Sequence, residues 1–130
     1  MGKIAVDTTF LIDFQREAGT DDGSLARFLA AHGTDHFFMP LTVLGEFAAG
    51  FPDLGHANYR KIRAQFGLLP IDEEVALVYR SIYRSLKRQG SLIGANDLWI
   101  AATAMRFHVP LVSRNLHEFN RVEGLKLLSY

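Results

Sequence analysis

Four polar residues interrupt or end apolar stretches of this chain. Asp7 follows the run IAV, and Glu46 is the only charged residue in LTVLGEFAAG. Asp97 stands at the front of the otherwise apolar GANDLWIAATA, and Asn115 follows LVSR in LVSRNLHEF. An ionised carboxylate in such surroundings must lie at an edge, meet a cation or take up a proton. Three carboxylates gathered in one place repel one another, so they need a shared proton or a positive ion between them. A hard divalent ion such as magnesium accepts oxygen ligands and keeps several waters. It can lower the pKa of a bound water and neutralise charge on a phosphoryl group. That chemistry suits phosphodiester hydrolysis.

Taken singly, each residue has a plainer reading. Asp97, beside Asn96, can stabilise a helix N-terminus through the dipole, and Asp7 can be a turn residue after a strand. Glu46 has no charged neighbour at helical spacing, which leaves exposure on one helix face as its plain reading. Asp13, one helical turn past Thr9, reads as structural. In NLHE Glu118 carries the negative charge that Asn115 lacks, but the segment also has the form of a capping box, in which Asn115 caps a short helix and Glu118 bonds back to the cap's backbone N–H. His32 and His108 fall near helix ends, where capping is expected, and His36, His56 and His117 have no metal-ligand spacing. No glycine-rich phosphate loop occurs, and DTT lacks the second Asp of an aspartyl-phosphate motif.

The elements that must position these residues alternate between strand-like and helix-like periods. Residues 3–6 read as a buried parallel strand and 9–16 as a helix. A second helix is expected over 24–32, with Ser24 as its cap and Gly33 past its end. Residues 37–39 form a strand candidate, and Pro40 suits the first turn of a helix reaching about Ala49. Residues 56–66 read as helical. The clearest helix covers 73–89, where Val75, Val78, Ile82 and Leu86 share a face and Asp72 can cap the start. A helix over 96–107 with Asn96 as N-cap, a strand at 111–113 and a last strand near 126–128 complete the pattern. Short connections between such elements imply an α/β sandwich on a mainly parallel sheet. In that architecture Asp7, Glu46, Asp97 and Asn115 can meet beyond the carboxyl ends of the strands.

The 130 residues suffice for one domain, and 48% hydrophobic with 22% charged residues describe a globular chain. Its 14 basic and 14 acidic residues cancel, so any attraction for nucleic acid must come from a local basic face. The helix at 73–89 offers one in Arg80, Arg84, Lys87 and Arg88, although most such faces are simply solvated. The chain has no cysteine, which fits a reducing compartment. No apolar run approaches the ~20 residues of a membrane span, and the start lacks a signal-peptide core, so a cytoplasmic protein is expected.

The segments IAVDTTFLIDF, LTVLGEFAAG, IGANDLWIAATA and PLVSRNLHEFNRVEGLKL, in that order, resemble the signature segments of PIN domains, and within them the VapC-type toxins of toxin-antitoxin pairs. The resemblance spans nearly the whole chain and implies a single PIN domain over residues 1–130. It implies a Mg2+- or Mn2+-dependent endoribonuclease, usually a homodimer, held inactive by a cognate antitoxin. Asp7, Glu46 and Asp97 match the family's three acidic metal-binding positions. The fourth, often Asp, falls on Asn115, which makes one ion the expectation. Ser113 matches a family Ser or Thr, and Thr8 or Thr9 supplies supporting hydroxyls. Arg80, Arg84, Lys87, Arg88 and Arg114 are the candidates for holding the RNA backbone. The alternative from another class is a PIN-like module that binds RNA or protein without cutting, against which the intact acids argue.

Overall fold

The computed structural model describes residues 2–16 and 23–130. In chain order the elements are β1 (Lys3–Val6), α1 (Thr8–Arg16), α2 (Ser24–Ala31), β2 (His36–Pro40), α3 (Leu41–Ala49), α4 (Ala57–Gln65) and β3 (Gly67–Leu69). They continue with α5 (Glu73–Arg88), α6 (Ala95–Arg106), β4 (Leu111–Val112), α7 (Leu116–Phe119) and β5 (Leu127–Leu128). The five strands form one sheet in the order β3-β2-β1-β4-β5. Every pairing is parallel, with Ala5 opposite both Phe38 and Leu111. The expected α/β architecture is therefore present, and its sheet is wholly parallel.

The strand order has a functional consequence. The chain moves outward from β1 through β2 to β3, then returns to lay β4 on the other side of β1. That reversal opens a crevice at the carboxyl ends of β1 and β4, the place where open parallel sheets hold their sites. The sheet's centre is dry: Ile4, Ala5, Val6, Leu111 and Val112 are buried. Phe10, fully buried in α1, packs against the rings of Phe14, Phe28, Phe37 and Tyr130. This packing fixes the helix that begins one residue after Asp7.

α6 explains the apolar stretch around Asp97. Leu98 and Ile100 through Ala104 are buried, so the helix is surrounded by protein over most of its circumference. Its antiparallel neighbour α5 is tied to it at one end by Arg106, which pairs with Asp72 and Glu74. Midway along, Tyr79 stacks on Trp99 with centroids 4.1 Å apart. The C-terminal turn of α5 therefore lies at the same end of the pair as the N-terminus of α6.

Several local expectations need correction. Asn96 does not cap α6: the helix starts at Ala95 with Gly94 as N-cap and no side-chain cap. Ile93 and Leu98, both buried, occupy the N′ and N4 positions of a hydrophobic staple, and burial there moves the start two residues earlier. Ser24 likewise lies inside α2, whose N-cap is Gly23 in the left-handed region at φ 73°. Pro40 closes β2 and serves as N-cap of α3. Asp72 caps α5 as expected, accepting from the Val75 N–H at 2.8 Å.

Sequence reasoning missed β3. Phe66 is extended, and a side chain on Gly67 would come within 2.4 Å of the Phe38 ring of β2. Glycine at this point lets the two strands pair. Of the histidines, His108 follows α6 at φ 55°, and the N–H groups of His108 and Val109 return to Met105 and Ala104 as in a Schellman end. His32 pairs through Nδ1 with Asp35 at 2.8 Å, and His56 caps α4 by accepting from the Asn58 N–H.

Candidate active site

Asp7 is the most buried of the site's acids, at 4% exposure, and both its carboxylate oxygens are fixed. Oδ1 accepts the Phe10 N–H at 2.9 Å and Oδ2 accepts the Ser113 hydroxyl at 2.6 Å. Ser113, fully buried just past β4, in turn accepts the Asn115 N–H at 2.8 Å. One hydroxyl thus links the ends of the two central strands and the entry to α7. Burial raises the Asp7 carboxyl above the usual range, while the bonds from Ser113 and Phe10 pull the other way.

Asp97 reaches the same crevice from the third helical position of α6. Its carboxyl is pushed up to about 6, first by desolvation, then by the charge of Glu118, followed by Asp7, a hydrogen bond with Glu118, and Glu46. The acids at 7, 46, 97 and 118 therefore form one electrostatic unit. Asn115 approaches Asp97 with its Nδ2 donating to Oδ2 at a long 3.5 Å. Glu46 stands exposed on α3, where the Thr8 hydroxyl donates to its Oε1 at 3.1 Å. Thr8, and not Thr9, is the supporting hydroxyl, since Thr9 points outward and is exposed.

Glu118 is the main correction. Asn115 is the N-cap of α7, but no side-chain cap bond forms there. The Asn115 N–H goes to Ser113, which removes the donor that a capping box would give to Glu118. The Glu118 charge instead adds to that of the other acids in raising the Asp97 carboxyl. The sequence NLHE presented both readings, and nothing local distinguishes them, because the competing acceptor for that N–H lies on the preceding strand.

Two further candidates sit elsewhere. Asp13 is structural, as expected: buried at 6% exposure, it accepts the Tyr130 hydroxyl at 2.7 Å and the Arg114 guanidinium at 3.4 Å. Arg114 also covers the Tyr130 ring at 5.3 Å, so its charge is already engaged beside the site. Arg80, Arg84, Lys87 and Arg88 lie exposed along α5.

The donor set is made of oxygens and is negative, which is the chemistry of a hard divalent cation. Among the described residues no three His, Asp or Glu side chains close into a metal cage. What suits an ion such as Mg2+, which takes one or two carboxylates and keeps its remaining waters, is the all-oxygen acidic set itself, with Asp7 and Asp97 joined through Ser113 and Asn115. The raised proton affinity of Asp97 is the counterpart of that fit, since protons and cations compete for the same charge. Glu118→Gln is accordingly expected to weaken Mg2+ binding roughly 10- to 100-fold. The metal-free melting temperature should hold or rise; calorimetric titration together with thermal melting checks both. A lower melting temperature with unchanged Mg2+ affinity would return Glu118 to a capping role.

Residues 4–125 match the family model of the PIN domain. The chain is 34% identical over 128 residues to ribonuclease VapC1 of Methanocaldococcus jannaschii, covering 96% of this chain and 86% of that protein. It is 30% identical to ribonuclease VapC of Rickettsia bellii, over 99% of this chain and 96% of the other. Among solved structures it superposes on VapBC-1 from nontypeable Haemophilus influenzae with a TM-score of 0.74 at 26% identity, covering 99% and 98% of the two chains. VapBC2 from Rickettsia felis, solved on a promoter DNA fragment, shares the fold at a TM-score of 0.78 and 19% identity, over 98% of each chain.

Proposed function

Because the chain belongs to the PIN-domain family, among relatives named VapC ribonucleases, we propose that its acidic crevice cuts RNA with the help of Mg2+ or Mn2+. The protein is a toxin endoribonuclease of a toxin-antitoxin pair, a hydrolase acting on phosphodiester bonds. The observation that carries the metal reading is the chain of contacts that joins the acids: Ser113 holds Asp7 and the Asn115 N–H, Asn115 donates to Asp97, and Thr8, next to Asp7, holds Glu46.

Asp7 and Asp97 would hold the ion, with Glu46 and Glu118 contributing directly or through water. When bound, a divalent cation there supplies neutralisation of phosphoryl oxygens and acidification of a water. The chain's own part is to fix the carboxylates in advance. Ser113 and the Phe10 N–H set the plane of the Asp7 carboxylate, and Thr8 restrains Glu46 on its exposed helix. Hydrolysis forms a bond from a water oxygen to phosphorus and breaks the bond to one ester oxygen, which leaves with a proton.

An antitoxin is the natural partner, since similar solved structures include a toxin-antitoxin complex from Klebsiella pneumoniae and a member of the VapBC family of toxin-antitoxin systems from Mycobacterium tuberculosis. A guanidinium from that partner would suit the crevice, because it can bind carboxylates bidentately in place of an ion. The same reading makes RNA the substrate, a homodimer the working form and the cytoplasm the place of action. Among the described residues no helix is long and apolar enough to cross a membrane.

Incubating the purified protein with cellular RNA, with and without Mg2+, and mapping the cut ends tests this directly. Discrete new ends that need the ion are expected. An RNA mobility shift without fragments would instead support the binding-module reading.

A further inference from the structure

We infer that α5 and α6 carry a track for an unpaired RNA strand, in which bases stack on Tyr83, Tyr79 and Trp99 while phosphates meet Arg80, Arg84, Lys87 and Arg88. The inference rests on the ribonuclease reading for its ligand and goes beyond it in naming the surface and the form of RNA.

The rings come first. Tyr79 stacks on Trp99 at 4.1 Å and 26°, and Tyr83 lies parallel to Tyr79 at 10° with centroids 6.3 Å apart. Lys87 continues the row, its Nζ 5.7 Å from the centre of the Tyr83 ring. All three rings are partly exposed, so the row forms part of the surface. Residues 79, 83 and 87 repeat at helical spacing and span about 12 Å along α5.

The cations are the second, independent observation. Among the described residues, Arg80, Arg84, Lys87 and Arg88 make no ion pair with any carboxylate, although the chain holds equal numbers of acids and bases. Four exposed cations without a carboxylate partner among the described residues thus fall within nine residues of one helix. Half-buried rings with an open edge, interleaved with cations, suit single-stranded nucleic acid, since every base has a face to stack and every nucleotide a phosphate. A second copy of this chain is a poorer occupant. A two-fold contact across this face would set these cations against their own copies.

Direction is the third. α5 and α6 run antiparallel, so the row of rings leads from the middle of the pair toward Lys87 and Arg88, at the end where α6 begins and Asp97 stands. Trp99 and Asp97, two residues apart, lie on different faces of α6, so the row and the crevice share an end of the helix pair without facing one another.

The test uses the full chain carrying Asp97→Asn, to prevent cleavage, and two labelled probes: a 12-nucleotide unpaired RNA and a blunt RNA duplex. Trp99 is the only tryptophan and reports binding by its own emission. Unpaired RNA is expected to quench Trp99 and to bind more tightly than the duplex. Tyr79→Leu with Tyr83→Leu should weaken unpaired RNA roughly fivefold to a hundredfold per ring, with little effect on the duplex. Arg84→Gln with Lys87→Gln, both at exposed positions, should flatten the salt dependence by about 1.4 in log–log slope.

Unchanged affinity in both variants would overturn the track. So would a tyrosine variant that turns a dimer into monomers while binding RNA as before, because the rings would then be an interface between copies. Failure of the wild-type protein to cut any RNA with Mg2+ is a separate result, which strikes the ribonuclease reading and leaves these binding measurements to stand or fall alone.

Discussion

Asp97→Asn is expected to reduce RNA cleavage at least roughly 100-fold, the order for removing one preorganised charge from a reaction centre, and to raise the melting temperature of the metal-free protein near pH 7. The two effects share a cause. The Asp97 carboxyl moves from an ordinary 3.8 to about 6 on folding, through burial and the charges of Glu118, Asp7 and Glu46. Between those values the folded chain binds more protons than the unfolded one, so stability falls as pH rises through that window and stays reduced above it. An amide removes the penalty. A first-turn acid gains ~0.3–1 kcal/mol from the helix dipole, and the upward shift shows that burial and repulsion outweigh it. Melting curves of both proteins at pH 4 and pH 7 with a chelator check the sign: the variant should be the more stable at pH 7, and the gap should shrink at pH 4.

The second large effect is expected at Ser113. Alanine there leaves a buried Asp7 oxygen and the Asn115 N–H without partners at once. Each orphaned group costs ~1–3 kcal/mol, so a loss of about 2–6 kcal/mol is expected in denaturant unfolding. Asp7 should also bind protons more tightly, since the bond from Ser113 is what holds its carboxyl down against burial. Mg2+ affinity should fall with it. Ser113→Thr keeps the hydroxyl and should recover most of the metal affinity, although the added methyl group enters a fully buried position and costs stability of its own. Equal loss in both variants would mean that packing, and not the hydroxyl, is what Ser113 contributes.

The comparison of sequence and structure divides along one physical line. Asp7, Glu46 and Asp97 were legible because a charge inside an apolar stretch is conspicuous, and the parallel α/β pattern dictates where such charges meet. α5 was legible because its apolar period is long and Asp72 marks its start. What could not be read depends on partners distant in sequence. The start of α6 is set by burial of Ile93, and not by the capping preference of Asn96. β3 is only three residues long and depends on a gap beneath the Phe38 ring. Glu118 reads as a local cap from the sequence because the Ser113 hydroxyl that takes its expected donor belongs to the adjoining strand end. Arg114 was offered to RNA because neither Asp13 nor Tyr130, far away along the chain, announces itself as its partner.

The central claim is that Asp7 and Asp97 hold one cation, with Glu46 and Glu118 adding negative charge beside it. Calorimetric titration of Mg2+ at pH 6 and pH 8, in buffers of different ionisation enthalpy, tests it most directly. With the Asp97 carboxyl at about 6 in the free protein, binding should expel roughly half a proton at pH 6 and close to none at pH 8. Asp97→Asn should abolish both the proton release and most of the affinity. Binding that releases no proton at pH 6, or that survives Asp97→Asn undiminished, would contradict the account.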